Sequence, residues 1–134
     1  MSMKKKAITP RRSICTGPYS PGIAVGDWVF VSGQGPLDPQ TGQVVGDTIE
    51  EQTRRTIQNI QAILEEAGCT LADCVKVAVH LSDMNDYDRF NAVYTEYFAQ
   101  PYPARTLVQS VLLGIRVEID VIAVRGAGAA HQGS

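Results

Sequence analysis

This sequence predicts an α+β domain, a mixed β-sheet with two helices packed on one face, and three observations predict it. Two segments, Thr48 to Gly68 and about Asn85 to Pro101, carry apolar residues at helical spacing. Others, among them "DCVKVAVHLSDM" at 73–84 and "IRVEIDVIAV" at 115–124, alternate apolar and polar residues as strands do. The strands also keep apolar residues such as Ile122 and Val124 on the face that two helices cannot cover. That face should be buried against another chain, so association into an oligomer is the physical expectation.

Taken in order, Lys4-Lys5-Lys6 with Arg11-Arg12 reads as a solvated edge strand, because lysines on an edge discourage sheet-to-sheet association. "GIAVGDWVFVSGQGPLDPQTGQ", residues 22–43, reads as a hairpin turning at Gly26-Asp27, after which Gly33, Gly35, Pro36, Pro39 and Gly42 force a loop. Thr48 and Glu51 have capping-box spacing, and Thr53, Ile57, Ile60, Leu64 and Ala67 follow at helical intervals. In the next strand Val75, Val77, Val79 and Leu81 share one face, with Lys76, Ala78 and His80 on the other. The second helix aligns Tyr87, Phe90, Tyr94, Tyr97 and Phe98 before Pro101 ends it. Two strands, about 105–112 and 115–124, complete the order β-β-β-α-β-α-β-β. We expect one domain over residues 1–126 and a flexible tail over 127–134.

Composition narrows the function. With 134 residues the chain can bury a real core, and 44% hydrophobic against 19% charged residues is a globular balance. A net charge of -2 argues against nucleic acid as a partner. No run of about 18 apolar residues is present, so no membrane-spanning helix is expected, and the N-terminus lacks the apolar core of a signal peptide. Cys15, Cys69 and Cys74 are odd in number with no CxxC spacing, which reads as reduced thiols in a cytoplasmic protein. His80 and His131 have no ligand-spaced neighbours, so no metal site is expected.

Among residues able to do chemistry, Arg105 in "YPARTLVQ" comes first. A permanent guanidinium charge leading into an apolar strand needs a partner, either a bound carboxylate or an acidic side chain of its own chain. Arg116, Glu118 and Asp120 share a strand face. Arg116 and Glu118 read as a surface ladder, whereas Asp120 borders apolar Ile122 and could have a raised pKa and move a proton. Tyr19, fixed between Pro18 and Pro21, could offer a ring and hydroxyl to a small ligand or simply pack a turn. No serine, cysteine and histidine arrangement forms a hydrolase pattern, His80 lacks an evident nucleophile, and "SGQGP" does not match a phosphate loop. What remains is a site for a small carboxylate and a proton, with no cofactor.

"GPYSPG", "VFVSGQGPLDPQTG", "QTRRTIQNIQAILEEAG", "VKVAVHLSDMNDYDRFNAVYTEYF", "YPARTLVQ" and "VEIDVIAV" together resemble the RidA/YjgF family, the reactive-intermediate imine deaminases, over about residues 5–125. The resemblance implies a chorismate-mutase-like fold assembled as a homotrimeric barrel with ligand clefts between subunits. It also implies hydrolysis of 2-imino or enamino acids to 2-oxo acids and ammonia. Carried over by position, Arg105 grips the substrate carboxylate, Tyr19 is the pocket tyrosine, Ser32 and Gly33 form the turn at the cleft, and Asn91 belongs to the second helix. Two positions depart from the pattern: Asp120 falls where the deaminase subgroup typically has glutamate, and Leu107 where it typically has cysteine. A non-catalytic trimer that binds a 2-oxo acid or amino acid is the competing reading, and a deaminase for bulkier imines is another.

Overall fold

The computed structural model describes residues 4–10 and 17–129. Its elements are β1 (Lys6–Ile8), β2 (Gly22–Val25), β3 (Trp28–Gln34), α1 (Ile49–Glu66), β4 (Cys74–Leu81), α2 (Tyr87–Tyr97), β5 (Ala104–Gln109) and β6 (Val117–Val124), with short 3-10 turns at Leu71–Asp73 and Met84–Asp86. They form one six-stranded sheet in the order β1-β2-β3-β6-β4-β5. β4 and β5 are parallel and the other neighbours antiparallel, so the sheet is mixed as predicted. A parallel pair needs a crossover, and α2 supplies it, which sets the start of β5 beneath that helix.

α1 starts where the sequence says. Thr48 Oγ1 accepts from the Glu51 N–H at 3.1 Å and Glu51 Oε1 accepts from the Thr48 N–H at 3.1 Å, closing the capping box. Thr53, Ile57, Ile60 and Leu64 are fully buried against the sheet, each aliphatic side chain contributing about 1.5–3 kcal/mol. The helix ends at Gly68, whose φ of 80° suits a residue without Cβ. Arg125 then donates to the Ala67 carbonyl at 2.7 Å and the Gly26 carbonyl at 2.6 Å, tying the helix end to the first hairpin.

The sheet has two unlike faces. Val29, Val31, Val77, Val79, Leu81, Val117, Ile119, Val121 and Ala123 lie under the helices and are buried. The opposite face carries Phe30, Ala78, His80, Val108, Glu118, Asp120, Ile122 and Val124, of which Phe30 is 41% and Val108 44% exposed. No element of the described chain covers it.

Several boundaries differ from expectation. Val75 does not join the buried face, because β4 bulges between Cys74 and Lys76; Cys74 pairs with Ala123 and takes the inward position. α2 stops at Tyr97, before Pro101 can act, as Phe98 turns extended (φ -109°, ψ 134°) and lays its ring on Tyr94. β5 ends at Gln109 and β6 begins at Val117, leaving a loop whose Val111 and Leu113 are almost wholly exposed. Lys6 sits on edge strand β1 with Lys4 and Lys5 exposed before it, while Arg11, Arg12, Cys15 and His131 lie outside the described residues. The tail is held at its start: the Gly128 N–H donates to Asp73 at 2.8 Å.

Candidate functional site

Arg105 is the second residue of β5. Its register partner is Val77, a buried residue of the helix face, so its side chain runs beneath α2. There Nη1 donates to Asn91 Oδ1 at 2.9 Å, and Nη2 lies 3.5 Å from the Tyr87 hydroxyl. The guanidinium carbon stands 4.8 Å from the centre of the Tyr94 ring and 5.9 Å from that of Phe90. Every one of these partners is neutral. Among the described residues the ion pairs are Arg54–Glu96, Arg89–Asp86 and Arg116–Asp86, and no carboxylate pairs with Arg105. The competing reading of an ion pair within the chain does not match this geometry. The forked donors that Asn91 leaves over border a cleft of about 310 Å³ lined by Asn91, Tyr94, Thr95, Tyr102, Pro103 and Arg105.

Local sequence builds this cleft. Tyr87, Asn91 and Thr95 are four residues apart and share a side of α2, while Pro101 and Pro103 stiffen the approach to β5. Tyr94 forms the floor. It is 4% exposed, its hydroxyl has no hydrogen-bond partner, and burial pushes its pKa up to about 12. Leu107, expected beside the ligand, is on the same face two residues on, but it packs on the core and does not line the cleft.

A second cluster lies across the sheet. The Ser32 hydroxyl donates to the Ser20 carbonyl at 2.6 Å and the Ser32 N–H to the Pro21 carbonyl at 2.9 Å, tying β3 to the turn that carries Tyr19. Tyr19 is 56% exposed, with its ring over Gly17. β3 bulges between Val31 and Gln34, so Ser32 and Gly33 together oppose Asp120 on β6. The carboxylate that reaches Gly33, however, belongs to Glu118: a Cβ built on Gly33 would stand 2.9 Å from Glu118 Oε2. A side chain there would make the carboxylate swing aside. The Asp120 carboxyl is instead pushed up by burial, with the charge of His80 on β4 offsetting part of the effect.

The sequence reading therefore gathered into one site residues that a single chain separates. Arg105 and Asn91 are on the helix side, and Asp120 and Glu118 are on the other. Three features escaped it. Glu118 was read as part of a surface ladder, and alternation alone could not tell it from Asp120. Arg116 leaves that ladder entirely, with its N–H donating to Gln52 Oε1 at 2.8 Å, Nε to the Asp47 carbonyl at 3.1 Å, and Nη1 3.5 Å from Asp86. His80 does have a hydroxyl beside it: its Nδ1 lies 2.6 Å from Ser110 Oγ, a contact made across 30 residues of sequence. Among the described residues no cluster of His, Cys, Asp or Glu could hold a metal, and no helix is long and apolar enough to cross a membrane.

This fold and these motifs have relatives. The family model described as endoribonuclease L-PSP matches residues 10–125. The chain belongs to this family. It is the RidA/YjgF group that the motifs indicated. A RutC family protein of Pyrococcus abyssi is 50% identical over 91% of this chain and 98% of its own length. The 2-iminobutanoate/2-iminopropanoate deaminase of Bos taurus is 40% identical over 93% of each chain. Among solved structures, Escherichia coli TdcF with bound serine superposes with a TM-score of 0.82 at 38% identity, covering 90% of this chain and 98% of the other. The family includes imine deaminases and proteins named only for their family membership, so the activity of this member has to be argued from its own residues.

Proposed function

We propose that this protein hydrolyses reactive 2-imino and enamino acids to 2-oxo acids and ammonia, working as a homotrimer with its sites between subunits. The observation that carries the reading is Arg105, a guanidinium held in a cleft by neutral partners alone. Such a group is set to receive a carboxylate from outside the chain. The name of the bovine relative supports the substrate class. The two half-sites call for a neighbouring copy, and the family resemblance makes the assembly a trimer. Arg105 and Asn91 lie on one side of the sheet and Gly33 and Glu118 on the other, so only a neighbouring copy can bring the second half to the first. The uncovered face with Phe30, Ile122 and Val124 gives that copy an apolar seat.

The chemistry needs little beyond positioning. Arg105 and the Asn91 amide fix the substrate carboxylate and so the C=N carbon. Glu118 of the adjoining copy accepts a proton from water as its oxygen bonds to that carbon. That proton passes to the nitrogen and gives a carbinolamine. Glu118 then takes the proton of the new hydroxyl and hands it to the amine as the C=O bond forms and the C–N bond breaks, so that ammonia leaves and the 2-oxo acid remains. Glu118 suits this role better than Asp120, because its carboxylate stands at the Ser32–Gly33 turn. Tyr19, on the turn tied to Ser32, would close the pocket.

Arg105→Ala tests the reading. Ammonia release from 2-iminobutanoate above the spontaneous rate should fall at least about a hundredfold and 2-oxobutanoate binding should disappear, since truncating one partner of a buried charge pair costs about 2–5 kcal/mol. Light scattering should still report three chains. Undiminished turnover in this variant would end the assignment. A second reading, binding without catalysis, draws support from the serine found in TdcF. It predicts ligand binding by the wild-type protein with imine decay no faster than in buffer.

A further inference from the structure

The cleft beside Arg105 holds one charged group, the guanidinium, which donates to Asn91 Oδ1 at 2.9 Å and stands over the Tyr94 ring. The remaining walls are Tyr94, Tyr102, Pro103 and Thr95. The Thr95 hydroxyl is committed to its own helix, donating to the Asn91 and Ala92 carbonyls at 3.2 and 3.1 Å. The Tyr94 ring is clamped between Phe98, with centroids 4.4 Å apart, and Phe90, at 5.8 Å. Its hydroxyl is buried and stays neutral. That ring is thus fixed and uncharged, and it serves as the seat of the Arg105 guanidinium. Tyr102, 49% exposed between Pro101 and Pro103, forms the outer wall.

We propose that this cleft selects 2-imino acids with a large apolar side chain, branched or aromatic, over the four-carbon acid, and that Tyr102 is the specificity-determining residue. The proposal rests on the deaminase reading and narrows its substrate class. With the carboxylate held by Arg105, the side chain lies along Tyr102 and Pro103. The cleft's volume of about 310 Å³ is at the lower end of the roughly 300–1,000 Å³ that encloses drug-sized ligands, more than a four-carbon acid fills. Apart from Arg105, no charged residue lines the cleft, so a charged side chain would find no further partner there. Each methylene seated in an apolar pocket is worth roughly 10–200-fold in selectivity.

Two measurements test this. In the first, an amino-acid oxidase generates imines in situ from leucine, phenylalanine and 2-aminobutyrate, and their decay above the spontaneous rate gives kcat/KM. In the second, calorimetry with 4-methyl-2-oxopentanoate, phenylpyruvate and 2-oxobutanoate reads binding without turnover. Both should favour the large ligands by about tenfold or more. Tyr102→Ala should reduce that ratio about tenfold, and Tyr102→Phe should restore it. Equal or reversed preference in the wild-type protein overturns the inference and leaves the deaminase reading standing, as does a Tyr102→Ala variant that weakens small and large ligands alike. Tighter binding of the large oxo acids with no imine accelerated keeps the selectivity and removes the catalysis. Binding of none of them overturns both.

Discussion

The Arg105 cleft and the Gly33–Glu118 cluster are assembled from opposite kinds of contact. The cleft draws on one helix and the strand that follows it, residues 87 to 105, and its polar bonds span 14 and 18 positions. The cluster joins β3 to β6 across about 85 residues and depends on a bulge that sets Ser32 and Gly33 against one residue of β6. One half is nearly finished within a single chain, with its cation seated on aromatic rings. The other is an exposed rim around a carboxylate. On the proposed function, binding and proton transfer fall on different parts of the fold and should respond separately to substitution.

The widest separation is expected at Glu118. Glu118→Gln keeps the size and removes the base, so imine turnover should fall about 10²–10⁴-fold, the usual contribution of a positioned acid–base group. Binding of 2-oxo acids, governed by Arg105, should change little. Asp120→Asn in the same assay should stay within about tenfold. A collapse at Asp120 with Glu118→Gln still active would move the proton-transfer role two residues along β6 and restore the sequence-based assignment.

That exchange also marks how far the sequence could be read. The start of α1 is legible to the residue, because its capping box is local, and its apolar spacing is regular. The order of helices and strands along the chain is legible, while the bulge at Val75 is not, since it arises from register against β6. Arg105 could be singled out by the cost of its charge in an apolar setting. Its place beneath α2 could not, because that follows from the parallel pairing of β5 with β4. Glu118 and Asp120 share a face and a charge, and only the partner strand distinguishes them. Local chemistry is visible in a sequence, and the neighbours that strand register supplies are not.

A smaller effect is expected within the cleft. Asn91→Ala removes the acceptor that holds Arg105 Nη1. The guanidinium keeps its seat on Tyr94 but loses its orientation, and a hydrogen bond to a charged group contributes about 1.5–3 kcal/mol. Affinity for 2-oxobutanoate should fall about tenfold or more by calorimetry, well short of the loss in Arg105→Ala. An equal loss in both variants would mean that Asn91, not Arg105, makes the principal contact with the carboxylate.

The gentlest test concerns Asp120 and uses stability alone. Burial raises its carboxyl pKa above the ordinary value, and His80 only partly offsets this. A carboxyl whose folded pKa is raised contributes stability that is fully present below its unfolded pKa and is lost as pH rises through the folded one. The contribution of Asp120 to stability should therefore fall as pH climbs from below the ordinary aspartate range, about 3.9, toward neutrality. Asp120→Asn has no carboxyl to ionise and should lack that decline, so denaturant midpoints of the two proteins should diverge on going from acid to neutral pH, with the variant the more stable at neutrality. Docking a second copy on the open face would remove more water from Asp120 and widen the gap, because desolvation is the larger cause of the shift. Should the two midpoints run parallel across that range, or the variant be the less stable at neutrality, Asp120 would have to be paired with a cation in the assembled protein, and the open face would be held by ionic as well as apolar contact.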